Sequence, residues 1–287
     1  MKTSPMNRRR KIFRPSKSIM LAITVVLSLV FMLPAVWMFF GSFRPANQIL
    51  SSLNPLSWNS LFPSEYSMNN YITLLFERGF ARNLLNSAIV CIGSVALGLV
   101  LSLMAAYALA VLKFPGRNLL FAIVIVGFMV PFEAVAIPLS SLFTDWGLAN
   151  TFLGLILPGI GNGLAIFNLR QFFLGIPVSY REAAKIDGAS EIRILFQIYA
   201  PISVPALINT GLLIFLAQWS SYLWPLLMVN TSDMQVAAVS LASTFGERGV
   251  DYGQNFAGAL MLALVPAILM LVFQRYFAAG SSSSGEK

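Results

Sequence analysis

The sequence predicts an all-α, polytopic membrane protein with six transmembrane helices, both termini in the cytoplasm and a short cytoplasmic helix between spans 4 and 5. Three observations predict this class. Of the 287 residues, 57% are hydrophobic and 10% are charged, against roughly 25% charged in a soluble domain. The charges are missing from long blocks rather than thinned evenly, and the Lys and Arg residues fall in alternate connecting segments.

Six apolar blocks set the number of spans. Each is long enough to cross a bilayer, which takes about 20 residues. Five hold no charge, at Ser18–Phe43, Asn83–Leu112, Trp146–Leu169, Ile194–Ser232 and Tyr252–Gln274. The sixth, Asn118–Thr144, holds only Glu133. We place the spans at 19–43, 86–112, 118–143, 152–173, 203–227 and 256–277.

The positive charges orient these spans. Fifteen of the 19 Lys and Arg lie in the connecting segments on the side of the N-terminus, and four lie on the other side. Since loops rich in Lys and Arg stay in the cytoplasm, both termini are predicted there. Seven of the fifteen precede the first span, so the net charge of +8 indicates a membrane flank and not a nucleic-acid partner.

The chain divides into a basic cytoplasmic N-terminus at 1–17, one transmembrane domain at 18–278 and a flexible cytoplasmic tail at 279–287. The outer loop 44–85 carries Pro45, Pro55 and Pro63 with Trp58, Tyr66 and Tyr71. Such aromatics suit either the membrane interface or a docking surface for another protein. The first apolar block is too long for a signal peptide and is not followed by a cleavage-site pattern, so we interpret it as a span.

Several kinds of chemistry are excluded. The chain has no His, which removes the commonest general base and metal ligand. Its single cysteine, Cys91, allows neither an internal disulfide nor a two-cysteine metal site. No G-x-x-x-x-G-K-[ST] motif is present, so any ATP site must belong to another chain.

Small residues and prolines indicate how the spans pack. Ser94, Gly98, Ser102 and Ala106 recur every four residues, which lets helix backbones approach closely. Gly159 and Gly163 form a further G-x-x-x-G pair. Seven prolines fall within the predicted spans and indicate kinked helices, either as ordinary packing or as segments that line a cavity: Pro34, Pro131, Pro138, Pro158, Pro205, Pro225 and Pro266.

Residues 176–201 carry local signals for a helix and a sharp turn. Ser179 and Glu182 have the S-x-x-E spacing of a capping box, which starts a helix. Asp187 and Gly188 end that helix, because glycine accepts the left-handed backbone of a C-cap.

A second helix is predicted to follow the turn. Ser190 starts it, and it runs toward Pro201. On the first helix, we expect Ala183 and Ala184 to lie on an exposed face that a partner surface can approach closely.

This stretch resembles the "EAA" signature of ABC-importer permease subunits. The signature is Glu-Ala-Ala, three residues, Gly, nine residues, then Ile-x-Leu-Pro. Here Glu182-Ala183-Ala184 is followed after three residues by Gly188, and after nine more by Ile198-Tyr199-Ala200-Pro201. The one departure is Ala200, where the family usually has Leu.

Nearly the whole chain resembles the carbohydrate-type, maltose-permease-like branch of that family. Short segments similar to those of the branch occur at Asn86-Ser87, Ala105–Ala108, Phe114–Arg117, Ile137–Leu139, Gly147-Leu148, Ile186–Ala189 and Gln274-Arg275. Trp219–Leu226 is similar to the branch's Trp-Asn-x-x-Leu-x-Pro segment, with Ser220 in place of Asn. The resemblance ends at the C-terminus, where Gly280–Lys287 replaces a Gly-Ala-Val-Lys-Gly-like end.

The resemblance implies a multi-pass permease subunit in a bacterial inner membrane, forming half of the pathway for a sugar or related polyol. It implies a second homologous permease, two ATP-binding subunits and an extracytoplasmic solute-binding protein. ATP and Mg are bound by those partners, and no cofactor, catalytic residue or metal is expected in this chain. The loop 174–201 becomes a coupling loop that docks on an ATP-binding subunit through Glu182, Ala183, Ala184, Asp187 and Gly188.

Polar and aromatic residues within the spans are candidates for the solute pathway. Glu133 is the one acid well inside a block, so it either faces a cavity or reaches water at the outer end of span 3. Sugars need hydrogen bonds and an aromatic face, and these can come from the remaining candidates or from the partner permease. The remaining candidates are Asn162, Gln218, Trp219, Ser220, Tyr222 and Trp224.

Two other functions stay open from sequence. An ion-gradient-driven secondary transporter of a small polar solute would usually show an inverted repeat and several intramembrane charges, and we find no repeat and a single acid. A membrane enzyme is disfavoured by the lack of His and of an acid pair within the spans. The sequence does not distinguish oligosaccharides from glycerol phosphate as the solute.

Overall fold

The computed structural model describes residues 17–45, 48–49, 62, 65–244 and 251–282. These residues form helices and connecting turns, with no strand among them. The helices are α1 (Lys17–Gly41), α2 (Asn69–Ile72, extended by the π-helical turn Thr73–Glu77), α3 (Phe80–Ala110), α4 (Arg117–Met129), α5 (Phe132–Asp145), α6 (Phe152–Ile160), α7 (Gly163–Leu174), α8 (Ser179–Ile186), α9 (Glu191–Ile202), α10 (Val204–Trp219), α11 (Leu223–Met228), α12 (Ala237–Ser243) and α13 (Tyr252–Ser282).

Helix length and composition support a membrane-embedded chain. Within the described residues α1, α3 and the Tyr252–Tyr276 part of α13 are each long and apolar enough to cross a bilayer unbroken. Three bent pairs, α4–α5, α6–α7 and α9–α10, bring the number of spans to as many as six. The all-helical class is confirmed.

The predicted span 3 over 118–143 consists of two helices joined by a sharp bend. The chain turns by 92° between α4 and α5. Val130 is extended, at φ −69° and ψ 122°, because the ring of Pro131 disfavours the helical conformation of the residue before it. The helical hydrogen-bond ladder therefore stops at Val130 and restarts after Pro131.

The predicted span 203–227 also contains a break. α10 ends at Trp219, and the separate helix α11 begins only at Leu223. At the start of α10, the chain turns by 86° between α9 and α10, across Ser203. The crossing segment is thus shorter than the apolar block Ile194–Ser232, as expected for a block that includes flanking loop.

α3 packs against α6, α7, α10 and α12. Ser94, Gly98, Ser102 and Ala106 are all buried on it, which confirms the predicted small-residue face. A Cβ on Gly98 would lie 3.6 Å from the Cα of Ile160, so the two backbones are close.

Gly159 and Gly163 do not form one packing face, as the G-x-x-x-G spacing predicted. A 42° bend between α6 and α7 separates them. A Cβ on Gly159 would meet Gln218, whereas a Cβ on Gly163 would meet Phe128. The spacing implies a shared face only on a continuous helix.

The described part of the predicted outer loop 44–85 contains helical turns. α2 lies inside it, and α3 begins at Phe80, before the predicted start of its span. The hydroxyl of Tyr71 lies 2.8 Å from Oγ of Ser42, at the end of α1. Pro55, Trp58 and Pro63 lie outside the described residues, as does most of the basic segment 1–17.

Part of the segment 228–255 is hydrogen-bonded to α3. Asn83 donates hydrogen bonds to the carbonyls of Ser232 and Gln235, and Asn86 donates to those of Asp233 and Gln235, at 2.7 to 3.0 Å. The first turns of α3 thereby hold residues 232–235 through their backbone carbonyls. At the other terminus α13 reaches Ser282, inside the predicted tail 279–287.

Candidate functional site

Three helix breaks open onto one cavity. They lie between α4 and α5 at Val130–Pro131, between α6 and α7 at Gly161–Asn162, and between α10 and α11 at Ser220–Tyr222. The cavity has a volume of about 1010 Å³. Non-helical backbone at membrane depth is tolerated where it is buried in protein or lines a wet cavity. Three breaks at one place therefore make this cavity the candidate site for a polar solute.

Each break has a local cause. At the first, Pro131 has no N–H and disfavours helical backbone at Val130. At the second, the Asn162 side chain accepts a 3.0 Å hydrogen bond from the N–H of Ala165 and so begins α7. At the third, Tyr222 stands at φ −120° and ψ −56°, outside the helical range.

Six of the seven predicted pathway residues line this cavity: Glu133, Asn162, Gln218, Ser220, Tyr222 and Trp224. They come from α5, the α6–α7 break, α10, the α10–α11 break and α11. Glu133 lies in the first turn of α5, beside the 92° bend, and its side chain is exposed. Glu133 thus lies at the cavity, and its exposed carboxylate fits both interpretations of this residue.

Trp219 does not line the cavity, which corrects its grouping with Gln218 and Ser220. Its ring stacks on Phe215, and its Nε1 donates a 3.0 Å hydrogen bond to the carbonyl of Leu262 in α13. Neighbouring residues on a helix point about 100° apart, so Gln218 faces the cavity while Trp219 faces α13.

Gln218 and Trp224 line the cavity and also contact α6. Trp224 is 2% exposed, and its Nε1 donates a 2.9 Å hydrogen bond to the carbonyl of Gly154. Gln218 lies so close to Gly159 that a Cβ there would stand 2.6 Å from its Oε1. Tyr222, in contrast, is 45% exposed.

The charge of the cavity is negative. Glu133 is the only Asp, Glu, Lys or Arg among the described residues that line it. The remaining polar groups are amides and hydroxyls from Asn162, Gln218, Ser220, Ser221 and Tyr222. This set can exchange hydrogen bonds with hydroxyls, and it lacks a cation to neutralise an anionic solute.

The second candidate site is the loop 174–201, which contains α8 and most of α9. The predicted capping box of Ser179 and Glu182 is wrong, because Ser179 is already helical and its side chain caps nothing. The helix turns begin earlier, with the N–H of Tyr180 donating to Pro177 and that of Glu182 to Val178. Proline has a backbone angle suited to a helix start, so Pro177 fixes the position.

The predicted turn is confirmed. Gly188 has φ +77°, the left-handed conformation that glycine adopts without strain. Its N–H donates to the carbonyl of Lys185, and the N–H of Ala189 donates to that of Ala184, which is the hydrogen-bond pattern of a Schellman motif. Ser190 then caps α9 by accepting from the N–H of Arg193 at 3.3 Å.

Ala183 and Ala184 do not share an exposed face, as the sequence predicted. Ala184 is 8% exposed and packs into the buried cluster that contains Tyr107 and Phe173, whereas Ala183 is exposed. Ala184 can be buried there because its small side chain lets α8 pack close to this cluster. Glu182, Asp187 and Gly188 are exposed.

A groove of about 620 Å³ runs along the loop. It is lined by Ser179, Tyr180, Ala183, Ala184, Asp187, Gln197, Ile198, Pro201 and Ile202. Near it Ile186 is 87% exposed and Ile192 is 68% exposed. Apolar side chains this exposed on a charged loop are typical of a protein contact.

Sequence reasoning missed a charged cluster in this loop. Glu191 accepts a 2.6 Å hydrogen bond from the hydroxyl of Tyr107, and Arg181 donates to both of its carboxylate oxygens. Nζ of Lys185 lies 3.1 Å from Oε1 of the same carboxylate. The Arg181 hydrogen bond, helped by Tyr107 and Lys185, lowers the pKa of Glu191 to about 2. Arg181 and Glu191 lie ten residues apart on different helices, so the i, i+3 or i, i+4 spacing of a helical ion pair does not indicate them.

Residues 98–280 match the sequence profile of the family described as binding-protein-dependent transport system inner membrane components. The chain belongs to this family. It is a transport permease subunit and not an enzyme. The family match covers both the cavity breaks and the loop 174–201.

Relatives of this inner membrane component match it over most of its length. It is 35% identical to the arabinooligosaccharides transport system permease protein AraQ of Halalkalibacterium halodurans, over 91% of this chain and 93% of that protein. It is 33% identical to the diacetylchitobiose uptake system permease protein NgcG of Streptomyces coelicolor, over 92% and 86%. The resemblance to sugar-type ABC-importer permeases is thereby confirmed.

A solved structure shows the same fold. The chain aligns with a TM-score of 0.76 and 22% identity to a subunit of a bacterial ABC transporter involved in the import of the acidic polysaccharide alginate. The alignment covers 93% of this chain and all of that one.

Proposed function

We propose that this chain forms half of the translocation pathway of an ATP-driven importer for a neutral oligosaccharide or related polyol. The observation that carries the proposal is the meeting of three helix breaks at one cavity of about 1010 Å³ lined by amides, hydroxyls and Glu133. A continuous bundle of straight helices has no need for such breaks, since each one removes helical hydrogen bonds.

The neutral charge of the solute follows from the lining. A phosphate or uronate would lie in a site whose one charged side chain among the described residues is a carboxylate. Two relatives are named for neutral saccharides, arabinooligosaccharides and diacetylchitobiose. The solute proposed here therefore differs in charge from the alginate of the structural relative.

The family description supports the partners. The words binding-protein-dependent support a solute-binding protein as a partner, and the words inner membrane component support a location in a bacterial inner membrane. We propose a second permease subunit to complete the pathway and two ATP-binding subunits that hold ATP and Mg. The excess of Lys and Arg on the N-terminal side supports cytoplasmic termini and a cytoplasmic loop 174–201.

In this arrangement Glu182, Ala183, Asp187 and Gly188 form the surface that docks on an ATP-binding subunit. All four are exposed, and Glu182 makes no ion pair or hydrogen bond through its side chain within the described part of the chain. Ala184 supports α8 from beneath. Closure of the two ATP-binding subunits displaces both docked loops, and the helices rotate as rigid bodies to expose the cavity to the other side.

Uptake by the whole complex tests this proposal. The tagged chain is purified from its native membrane with the subunits bound to it and reconstituted in vesicles with ATP on the loop side. The solutes offered are trehalose, arabinotriose, sn-glycerol 3-phosphate and an alginate trisaccharide. We expect ATP-dependent uptake of a neutral saccharide; uptake that follows a proton or sodium gradient without ATP overturns the proposal, as does transport of the anions alone.

A further inference from the structure

The end of α3 and the loop 174–201 are packed as one unit beneath Glu191. The rings of Tyr107 in α3, Phe173 in α7 and Tyr199 in α9 meet nearly edge to face, with centroids 5.1 to 6.4 Å apart. Each of these side chains is at most 3% exposed. Apolar packing helps to hold the three helices together, but it is non-directional.

The carboxylate of Glu191 adds a directional link. It joins Arg181 and Lys185 of α8 to the hydroxyl of Tyr107. The 2.6 Å bond from Tyr107 is a side-chain hydrogen bond between the loop 174–201 and α3. A charge-assisted bond of this length is short and strong, so a displacement of α8 pulls on the end of α3.

α3 continues from this link to the cavity wall. From Tyr107 to Ser94 it runs about 20 Å without a break. Oγ of Ser94 lies 3.2 Å from the position of a Cβ on Gly159, next to Gln218 in the cavity lining. The described residues thus form a continuous path from α8 to the cavity.

We propose that Glu191 is a positioning residue that makes α8 and the end of α3 move together, so that displacement of α8 reaches the cavity. This rests on the proposed function, in which a docked ATP-binding subunit supplies the displacement. Adjacent residues of α8 then have different tasks. Glu182 faces the partner, and Arg181 faces inward to Glu191.

Two variants separate this role from simple stabilisation of the loop. Glu191→Gln removes the charge that Arg181 and Tyr107 share. Tyr107→Phe removes only the hydroxyl and leaves the Arg181–Glu191 and Lys185–Glu191 pairs in place. Arg193→Gln is the matched control, because Arg193 is exposed on the same helix and its guanidinium bonds only Gln197.

The readout does not depend on knowing the solute. Ala217 is exposed and lines the cavity, so Ala217→Cys reports cavity access by its rate of reaction with a membrane-impermeant maleimide. The single native cysteine, Cys91, is buried, and complexes without the reporter give its background. Labelling with and without ATP plus vanadate is measured alongside ATP hydrolysis, in the purified complex of all subunits.

In the reporter complex we expect ATP plus vanadate to change the labelling rate. In both variants ATP hydrolysis stays within about twofold, while the change in labelling shrinks by roughly 3- to 30-fold, the range for residues on a coupling path. Arg193→Gln keeps the full change. The role of Glu191 is overturned if Tyr107→Phe keeps the full change, or if labelling and hydrolysis fall together in either assembled variant.

Failure to assemble and failure of the proposed function are separate results. If Glu191→Gln does not co-purify with its partners, Tyr107→Phe decides the matter, because it leaves the ion pairs of the loop unaltered. If the reporter complex with the unaltered loop shows no response to ATP, the proposed ATP-driven function is wrong.

Discussion

The turn of the loop 174–201 is set by residues close together in sequence, whereas the cavity is lined by residues from three separate stretches of chain. In the loop, Gly188 and Ser190 each act within a few residues of their own position. At the cavity, Glu133, Asn162 and Ser220 meet only because α4–α5, α6–α7 and α10–α11 break at the same place. A local motif therefore suffices to recognise the loop, while the cavity exists only in the folded chain.

The two regions also differ in how they respond to change. The loop depends on one backbone conformation and on charge pairs, so single substitutions there should act on coupling. The cavity spreads its polar groups over many residues, so single substitutions there should act on selectivity or packing.

The largest effect is expected at the turn of the loop. Gly188→Val puts a β-branched residue at φ +77°, which costs about 1–2 kcal/mol and should lower ATP-driven uptake by roughly tenfold. Gly188→Asn is the control, because Asn tolerates the left-handed conformation and should keep most of the uptake. Equal losses in both variants, measured in vesicles at equal protein, would show that the turn conformation is not what matters.

The next effect is expected at the docking surface. Glu182→Gln removes an exposed charge with no partner in the described chain, so it should lower uptake several-fold and leave the amount of protein in the membrane unchanged. The matched control is Glu77→Gln, which alters an exposed carboxylate in the predicted outer segment. Normal uptake by Glu182→Gln removes this residue from the docking surface.

A smaller effect is expected behind the cavity wall. Gly159→Leu forces side-chain atoms against Gln218 and Ser94, an overpacking that costs about 1–3 kcal/mol, so the complex should unfold at a lower temperature in detergent. Gly161→Ala is the control, since a Cβ at Gly161 meets nothing within 4 Å. If both variants unfold at the same temperature as the unaltered complex, the close approach of α6 and α10 is not needed.

Glu133→Gln should change selectivity more than rate. The amide keeps the hydrogen-bonding shape and removes the negative charge of the cavity lining. We expect uptake of the neutral saccharide to persist and discrimination against the alginate trisaccharide to weaken. Unchanged discrimination in competition experiments would mean that the partner permease sets the charge preference.

The smallest effect is expected from pH. The pKa of Glu191 is lowered from 4.5 to about 2, so its ion pairs stabilise the loop fully above pH 4.5 and are lost as the pH falls toward 2. Hydrogen exchange of the loop amides, corrected for intrinsic rates, should be the same at about pH 6 and 8 and faster below about pH 4. Loss of protection between about pH 6 and 8 contradicts the assignment of the charged state to Glu191.

Sequence alone predicted what depends on nearby residues. Gly188 and Ser190 were assigned because a left-handed C-cap and an N-cap are local chemistry. Sequence reasoning failed where the environment of a residue depends on which side of a helix it occupies. Ala184 is buried beside exposed Ala183, and Trp219 points away from Gln218.

The bend at Pro131 shows a further limit. The proline indicated a kink, but 92° follows from α5 packing against α11 and from the cavity between them. Glu191 was missed for the same reason, because its partner Tyr107 lies 84 residues away in sequence.

The bonds from Asn83 and Asn86 to the segment 232–235 have a consequence for how such a protein can diversify. Both side chains donate to main-chain carbonyls only, and Ser87 likewise accepts from the N–H of Ala237. Replacing Ser232, Asp233 or Gln235 with another residue leaves every one of these bonds available. The outward surface can therefore be rewritten for a new docking partner while the attachment to α3 is inherited unchanged.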